Sequence, residues 1–305
     1  MKNQRPSVEI VDADLEIDQE QLSCATLLRF HRIQISLLMT TGEKISVKRE
    51  LCPGCGAANG HLLYECAFTE DPIRSYLKNF YGQQGRIDVD ELKGMKYALK
   101  ECIACGLIYQ YEILGDHLME KLYEKWIDPK LVFEEEEKQF GVDFYAREAQ
   151  EVGSLISYFN TIPTKLKFLD FGMGWGKWLK MAVAFGVQSY GTELSQSRID
   201  YAKRFGIDVL TWDELPHHQF DLVNTEQVFE HIPEPLETLR HLKKSVRSGG
   251  LLKISVPNGS GVKKRLKNPD WTIDKKSKNS LNAVSPLEHI NCFQYESILR
   301  MAGIV

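Results

Sequence analysis

The stretch KFLDFGMGWGKWL, residues 167–179, decides the fold. Phe168, Leu169 and Phe171 read as a short apolar strand carrying Asp170 near its end, and the residues from Lys177 to Phe185 read as a helix. Between them Gly172, Gly174 and Gly176 fall on alternate positions. A glycine turn of this kind lets a ligand approach the backbone closely and leaves free N–H groups at the helix start. It can hold a dinucleotide, a nucleoside triphosphate or another adenosine-bearing molecule. A dinucleotide fingerprint, G-x-G-x-x-G, would need its third glycine where Lys177 stands, and a P-loop needs Gly-Lys-Ser/Thr after a longer loop, whereas the sequence reads Gly176-Lys177-Trp178. Both phosphate-binding readings weaken.

Strands and helices alternate outward from that turn. VQSYGTEL (187–194) is a strand, followed by a helix from Ser197 to Phe205 that stops at Gly206. IDVLTW (207–212) and FDLVNTEQV (220–228) are strands. A helix from Pro235 to Val246 ends at Gly249-Gly250, and LLKISVP (251–257) is a further strand. This spacing predicts βαβ units and a Rossmann-like, doubly wound α/β sheet. Glu193 ends the strand after the glycine turn, where a carboxylate suits the two hydroxyls of a ribose because it accepts from both.

The motifs FLDFGMGWG, YGTELS, FDLVNTEQVFEHIPEP and SGGLLKISVPN, in this order and spacing, resemble the class I S-adenosylmethionine-dependent methyltransferases. The resemblance covers residues 140–305. It implies that Gly172, Gly174 and Gly176 pass under the methionine and ribose parts of the cofactor and that Asp170 lies near its amino group. It further implies that Glu193 binds the ribose, that Leu194 packs on the adenine, and that Trp212 and Asp213 flank the adenine. Trp212 reads equally as a core aromatic. Tyr145 and Arg147, on the helix before the glycine strand, are candidates to close the pocket, a solvated Arg147 being the plainer reading.

Methyl transfer from a sulfonium is an in-line displacement, so the protein has to align the acceptor and, for a hydroxyl or an acidic carbon, remove a proton. Histidine suits that work near neutral pH. His231 follows the fourth strand in FEHIPEP, and His289 occupies a second EHI in SPLEHINCF. These two and Glu230, as an orienting group, are the candidate catalytic residues; for each the plainer reading is a loop contact. Glu230, His231, Glu288 and His289 could hold a divalent metal, although no spacing requires it.

Four of the seven cysteines form two C-x-x-C-G knuckles, Cys52/Cys55 and Cys102/Cys105, and four thiolates suit tetrahedral structural zinc. The 46 residues between Cys55 and Cys102 exceed the usual zinc-ribbon gap and imply an insertion. Cys24, Cys66 and Cys292 read as buried hydrophobes. A zinc-ribbon-like module (51–112) before a methyltransferase domain resembles the layout of bacterial enzymes that modify sugars and glycans. Residues 1–50 read as an extension of unknown role, with 24–50 a hairpin or a helix followed by a strand. Residues 113–139 form a helical connector, with Leu118, Leu122 and Trp126 on one face, Pro129 as its end and the run Glu134–Glu137 as a solvated face.

Hydrophobic residues make up 43% of the 305 and the net charge is −4, which gives no general attraction to nucleic acid or anionic membrane. No apolar run approaches the roughly 20 residues that span a bilayer, and the N-terminus has no signal-peptide core, so a cytoplasmic protein is expected. Seven Lys/Arg residues lie between 263 and 278; the run could attract a phosphate or RNA, but reads best as a mobile solvated loop. The expected acceptor is a small molecule, sugar or glycan precursor. The alternatives are an RNA methyltransferase using the zinc module and basic run, and a non-catalytic cofactor-binding protein. The family's sheet has seven strands, whereas the sequence stops where a sixth would begin, so an open sheet edge is expected.

Overall fold

Phe168 and Leu169 have no exposed surface, and neither have Leu222 and Val223 on the neighbouring strand. Continuous burial of this kind marks strands covered on both faces, as a parallel sheet requires. The computed structural model describes residues 7–9, 44–84, 86–128, 131, 134, 138 and 141–305. The expectations for residues 24–43, Cys24, Pro129 and Glu135–Glu137 lie outside the described residues.

The strands are β1 (Ser7–Glu9), β2 (Ser46–Lys48), β3 (Gly60–Ala67), β4 (Lys96–Cys102), β5 (Ile108–Gln110), β6 (Glu112–Leu114), β7 (Lys167–Phe171), β8 (Gln188–Thr192), β9 (Asp208–Val209), β10 (Phe220–Glu226), β11 (Val246–Ser255) and β12 (Asn291–Cys292). The helices are α1 (Ile73–Gln84), α2 (Asp116–Lys121), α3 (Val142–Phe159), α4 (Lys177–Ala184), α5 (Gln196–Lys203), α6 (Pro235–Lys243), α7 (Val262–Arg265) and α8 (Tyr295–Ile304). They fall into two compact units, each discontinuous in sequence.

The first unit comprises Met1–Asp12, Glu134–Val228 and Glu237–Ser255. Its sheet has the order β1-β11-β10-β7-β8-β9 with every pair parallel. After β1, the chain enters the sheet's middle at β7, winds outward through β8 and β9, and returns to β10 and β11 on the other side. That reversal between β7 and β10 is the switch point at which open α/β sheets bind ligands. Val152 of α3 and Trp178, Leu179 and Ala182 of α4 close the core, with Leu155, Ile156 and Phe159 packed against it.

Two expectations need correction here. β11 is not the outermost strand as expected, because Ser7–Glu9 pairs with Leu251–Lys253 and covers that part of its edge. The helix after Pro235 stops at Lys243, and Val246 already belongs to β11. The Gly249-Gly250 pair lies inside that strand, where the register against β10 shifts between Phe220 and Leu222. Gly249 adopts φ +73°, and a Cβ on Gly250 would stand 2.9 Å from the carbonyl oxygens of Phe220 and Asp221, so a bulge explains both glycines.

The second unit comprises Ala13–Phe133, Phe229–Leu236 and Val256–Val305. Residues 229–236 and 256–305 thus group with the cysteine-bearing segment rather than with the parallel sheet. An antiparallel sheet β12-β5-β4-β3 organises the unit, and β2 pairs with β6. Leu118, Leu122 and Trp126 are all buried as the spacing predicts, although the last turn, Leu122–Trp126, is a π-helix. In the basic run Lys263, Lys264, Lys267, Lys276 and Lys278 are exposed, as a solvated loop requires, while other residues anchor it. Lys263 pairs with Glu101 at 2.8 Å, the Arg265 guanidinium donates to the Ser260 carbonyl, and Trp271 is buried against Tyr64, Tyr76 and Tyr97. Among the described residues no helix is long and apolar enough to cross a membrane.

Candidate functional site

The glycine turn leaves β7 with three left-handed residues, Gly172, Gly174 and Gly176, at φ +77°, +54° and +66°. Their reasons differ. A Cβ on Gly172 would meet Val228 at 2.8 Å and one on Gly176 would meet Ile207 at 3.0 Å, so those two are excluded by packing. Gly174 is buried, yet a Cβ there would meet nothing within 4 Å. Its open side is a cradle that a ligand can fill. Thr192 Oγ1 accepts from the Gly172 N–H at 3.0 Å and holds the turn against β8.

Asp170, one residue short of the end of β7, is buried and accepts from Asn224 Nδ2 at 2.8 Å. Burial pushes its carboxyl up to about 7, against the pull of the Asn224 hydrogen bond and with the push of nearby Glu226. Glu148 on α3 is pushed up to about 8, chiefly by burial and then by Glu151 and Glu226. Lys253 pairs with Glu151 and, at 3.0 Å, with Glu226. Four carboxylates thus act on one another at the β7 and β10 strand ends with one ammonium among them, an environment that favours a cationic ligand. Asn224, Glu226, Lys253, Glu148 and Glu151 were not singled out from the sequence. Asn224 and Glu226 had a signal in the polar run Asn224-Thr225-Glu226 that closes the apolar strand β10; the two helical glutamates had none.

Glu193 directly follows β8 and is buried, but its carboxylate already has protein partners. Oε1 accepts from the backbone N–H groups of Leu194 (2.8 Å) and Ser195 (2.9 Å). Oε2 lies 3.7 Å from the guanidinium of buried Arg198. Leu194 is half-buried. Trp212 opens a 3-10 turn, stacks on His241 with ring centroids 3.8 Å apart, and its carbonyl accepts from His241 Nε2. Asp213, Tyr145 and Arg147 are exposed.

In the second unit the two EHI segments are bound to each other. Asn291 Nδ2 donates to the Phe229 and Ile232 carbonyls, and the Asn291 N–H donates to the Glu230 carbonyl at 2.9 Å. His231 Nδ1 is 2.9 Å from the Glu288 carbonyl, and His289 Nδ1 is 2.5 Å from the Asn282 carbonyl. The two rings stand edge to face, 4.9 Å between centroids. Burial, with His289 next to it, holds His231 well below its usual range, and burial takes His289 down to about 4, so both are neutral near pH 7. Glu230 is buried beside them, with Oε1 3.8 Å from His231 Nε2. Glu288 takes another direction, accepting from the Tyr81 hydroxyl at 3.1 Å, and burial raises its carboxyl to about 7.

The two knuckles meet within the same unit. Cys52 and Cys105 sulfurs lie 3.6 Å apart and those of Cys55 and Cys102 lie 3.5 Å apart, and all four fall within one cluster. These distances exceed the roughly 2.05 Å of a disulfide and match the roughly 3.8 Å edge of a tetrahedron of thiolates about zinc. The glycines of both knuckles are left-handed, Gly56 at φ +75° and Gly106 at φ +78°, and their N–H groups donate back to the Cys52 and Cys102 carbonyls.

The family described as "Methyltransferase domain" matches residues 144–303. No curated protein matches the chain. Among solved structures, the plantazolicin methyltransferase BpumL in complex with SAH is similar at 14% identity over 60% of this chain and 71% of that one, with a TM-score of 0.41. An S-adenosylmethionine-dependent methyltransferase of Mesorhizobium loti is similar at 21% identity over 32% of this chain, with a TM-score of 0.27. A SAM-dependent methyltransferase of Thiobacillus denitrificans, in complex with S-adenosyl-L-homocysteine, is similar at 20% identity over 35% of this chain, with a TM-score of 0.29. The chain spans about half the length of the latter two, 48% and 47%.

Proposed function

The chain belongs to the methyltransferase-domain family and carries an S-adenosylmethionine-dependent methyltransferase domain, and from that premise we propose that it methylates a small molecule, sugar or glycan precursor. The observation that carries the cofactor reading is the open, buried side of Gly174 beside an acidic strand end. When bound, S-adenosylmethionine supplies an electrophilic methyl group: the acceptor atom forms the new bond, the C–S bond breaks, and S-adenosylhomocysteine leaves with the electron pair.

Each residue then has a part. Gly172, Gly174 and Gly176 shape the cradle, and ionised Asp170 faces the cofactor's ammonium group. Glu193 serves the ribose with whatever acceptor capacity its backbone contacts leave, and Leu194, Trp212 and Asp213 line the adenine side. His231 or His289, both neutral near pH 7, is assigned as the base that receives the acceptor's proton, with Glu230 as the orienting group. Cys52, Cys55, Cys102 and Cys105 hold a structural zinc that fixes their two knuckles. The net charge of −4 and the pairing of Lys263 with Glu101 favour a small acceptor over RNA.

Calorimetry with S-adenosylhomocysteine tests the cofactor site. Gly174→Ala should lower affinity at least tenfold, because the new methyl enters the cradle. The strain of a left-handed alanine is about 1 kcal/mol, and Gly206→Ala, at φ +76° with equally open space, controls for it: this variant should share the small loss of stability and bind normally. Equal affinity in all three proteins would refute the reading. A methyl-transfer screen against nucleotide sugars and glycan precursors identifies the acceptor.

A further inference from the structure

Glu230, His231 and His289 each offer a ligand atom, and these atoms lie within 4.8 Å of one another. Proximity alone is common among polar residues; the orientation of the imidazoles is what singles this group out. His231 Nδ1 faces the Glu288 carbonyl and His289 Nδ1 faces the Asn282 carbonyl. A carbonyl only accepts, so each Nδ1 carries the proton and each Nε2 is left as a lone pair. A main-chain carbonyl on the far nitrogen is the arrangement that metal-ligating histidines adopt, since it fixes tautomer and ring direction together. Two neutral imidazoles and one carboxylate are also a donor set for divalent first-row ions.

The framework is rigid. Asn291 joins the segment 229–232 to the strand β12 through three hydrogen bonds, and its Oδ1 accepts from Arg49 Nη1 at 2.7 Å. Glu230 is 1% exposed and His231 5%. His231 Nε2 stands 3.8 Å from Glu230 Oε1, and one ligand atom of each of the three residues lies within 4.8 Å of the others, a spacing that side-chain rotation would have to close to bonds of about 2.0–2.2 Å. We propose that Glu230, His231 and His289 together bind one divalent cation, distinct from any zinc at the cysteines. Three protein ligands leave coordination positions open, which suits an acceptor that presents a hydroxyl or a pair of neighbouring oxygens. The ion would acidify a hydroxyl that it binds, so a base role for either histidine and this ligand role are alternatives that the metal titration separates. This role rests on the methyl-transfer reading; the binding of the ion does not.

Manganese(II) separates the two metal sites, because it prefers carboxylate and imidazole to thiolate. The full chain, freed of loosely held metal with EDTA and desalted, is titrated with MnCl2 while the free ion is followed by its electron paramagnetic resonance signal. One Mn²⁺ per chain is expected. It should bind at least tenfold more weakly in Glu230→Gln and be lost in His231→Ala/His289→Ala. Cobalt(II)–thiolate absorption at the cysteines of the histidine variant reports that its unit is still folded; should it be lost, Glu230→Gln, nearly isosteric, decides alone. No Mn²⁺ uptake by the wild type, or uptake unchanged in the Glu230 and histidine variants, overturns the proposal. Calorimetry with S-adenosylhomocysteine on the same samples keeps the two readings apart: Mn²⁺ uptake without cofactor binding sinks the methyl-transfer reading and leaves the metal site standing.

Discussion

At Asp170 burial and hydrogen bonding pull in opposite directions. The Asn224 amide favours the carboxylate and the apolar surroundings favour the acid, leaving the group at about 7. Its folded value lies above the ordinary one, so the site is half-protonated near neutrality and fully charged only above that. A ligand ammonium group gains from the charged form alone. S-adenosylhomocysteine should therefore bind about tenfold more tightly at pH 8 than at pH 6, with Asp170→Asn weakening binding and flattening the profile. Calorimetry across that range checks it, and a flat wild-type profile would exclude the assignment. Glu193 behaves differently, because its carboxylate is committed to two backbone N–H groups and to buried Arg198. Glu193→Ala should cost stability, about 3 kcal/mol by urea unfolding, as well as affinity. Glu193→Gln is the variant that isolates binding.

At the scale of elements, legibility followed local periodicity. The strands of the parallel sheet were readable because burial on both faces writes unbroken apolar runs such as Leu222-Val223. The three glycines were readable as a turn, but the sequence could not tell Gly172 and Gly176, excluded by Val228 and Ile207, from Gly174, which faces open space. Gly249-Gly250 looked like a helix stop and proved to be a bulge, because two adjacent glycines carry the same signal in both settings. The pairing of Ser7–Glu9 with β11 joins residues more than 200 positions apart and leaves no local trace. The cysteine knuckles are the opposite case: C-x-x-C-G fixes the turn locally, and the structure brings the sulfurs of the two to 3.5–3.6 Å. Because a zinc there would hold both turns, Cys102→Ser should remove one zinc per chain by metal analysis. It should also lower the stability of the second unit by several kcal/mol, on the order of a lost structural metal ligand set. Unchanged zinc content would rule out the cysteine site.

At the scale of the whole molecule, each unit is assembled from distant stretches of sequence, and in the second unit one side chain joins most of them. Arg49 donates from Nε and Nη2 to the Gln110 carbonyl, from Nη2 to the Ile290 carbonyl, and from Nη1 to Asn291 Oδ1 and the Pro233 carbonyl. It is 5% exposed, and burial lowers its guanidinium to about 10. A charge so deeply placed is tolerated because a planar fork of five donors meets a ring of fixed acceptors. Lysine keeps the charge and loses the fork, so Arg49→Lys leaves several buried carbonyls without donors. The expected cost is about 3–5 kcal/mol. Native-state hydrogen exchange localises it. Protection should fall in β5 and β12, which Arg49 ties together, and stay unchanged in β7 and β10, which belong to the other unit. Loss of protection spread equally over β7 and β10 would mean that Arg49 does not act as the clamp of its own unit.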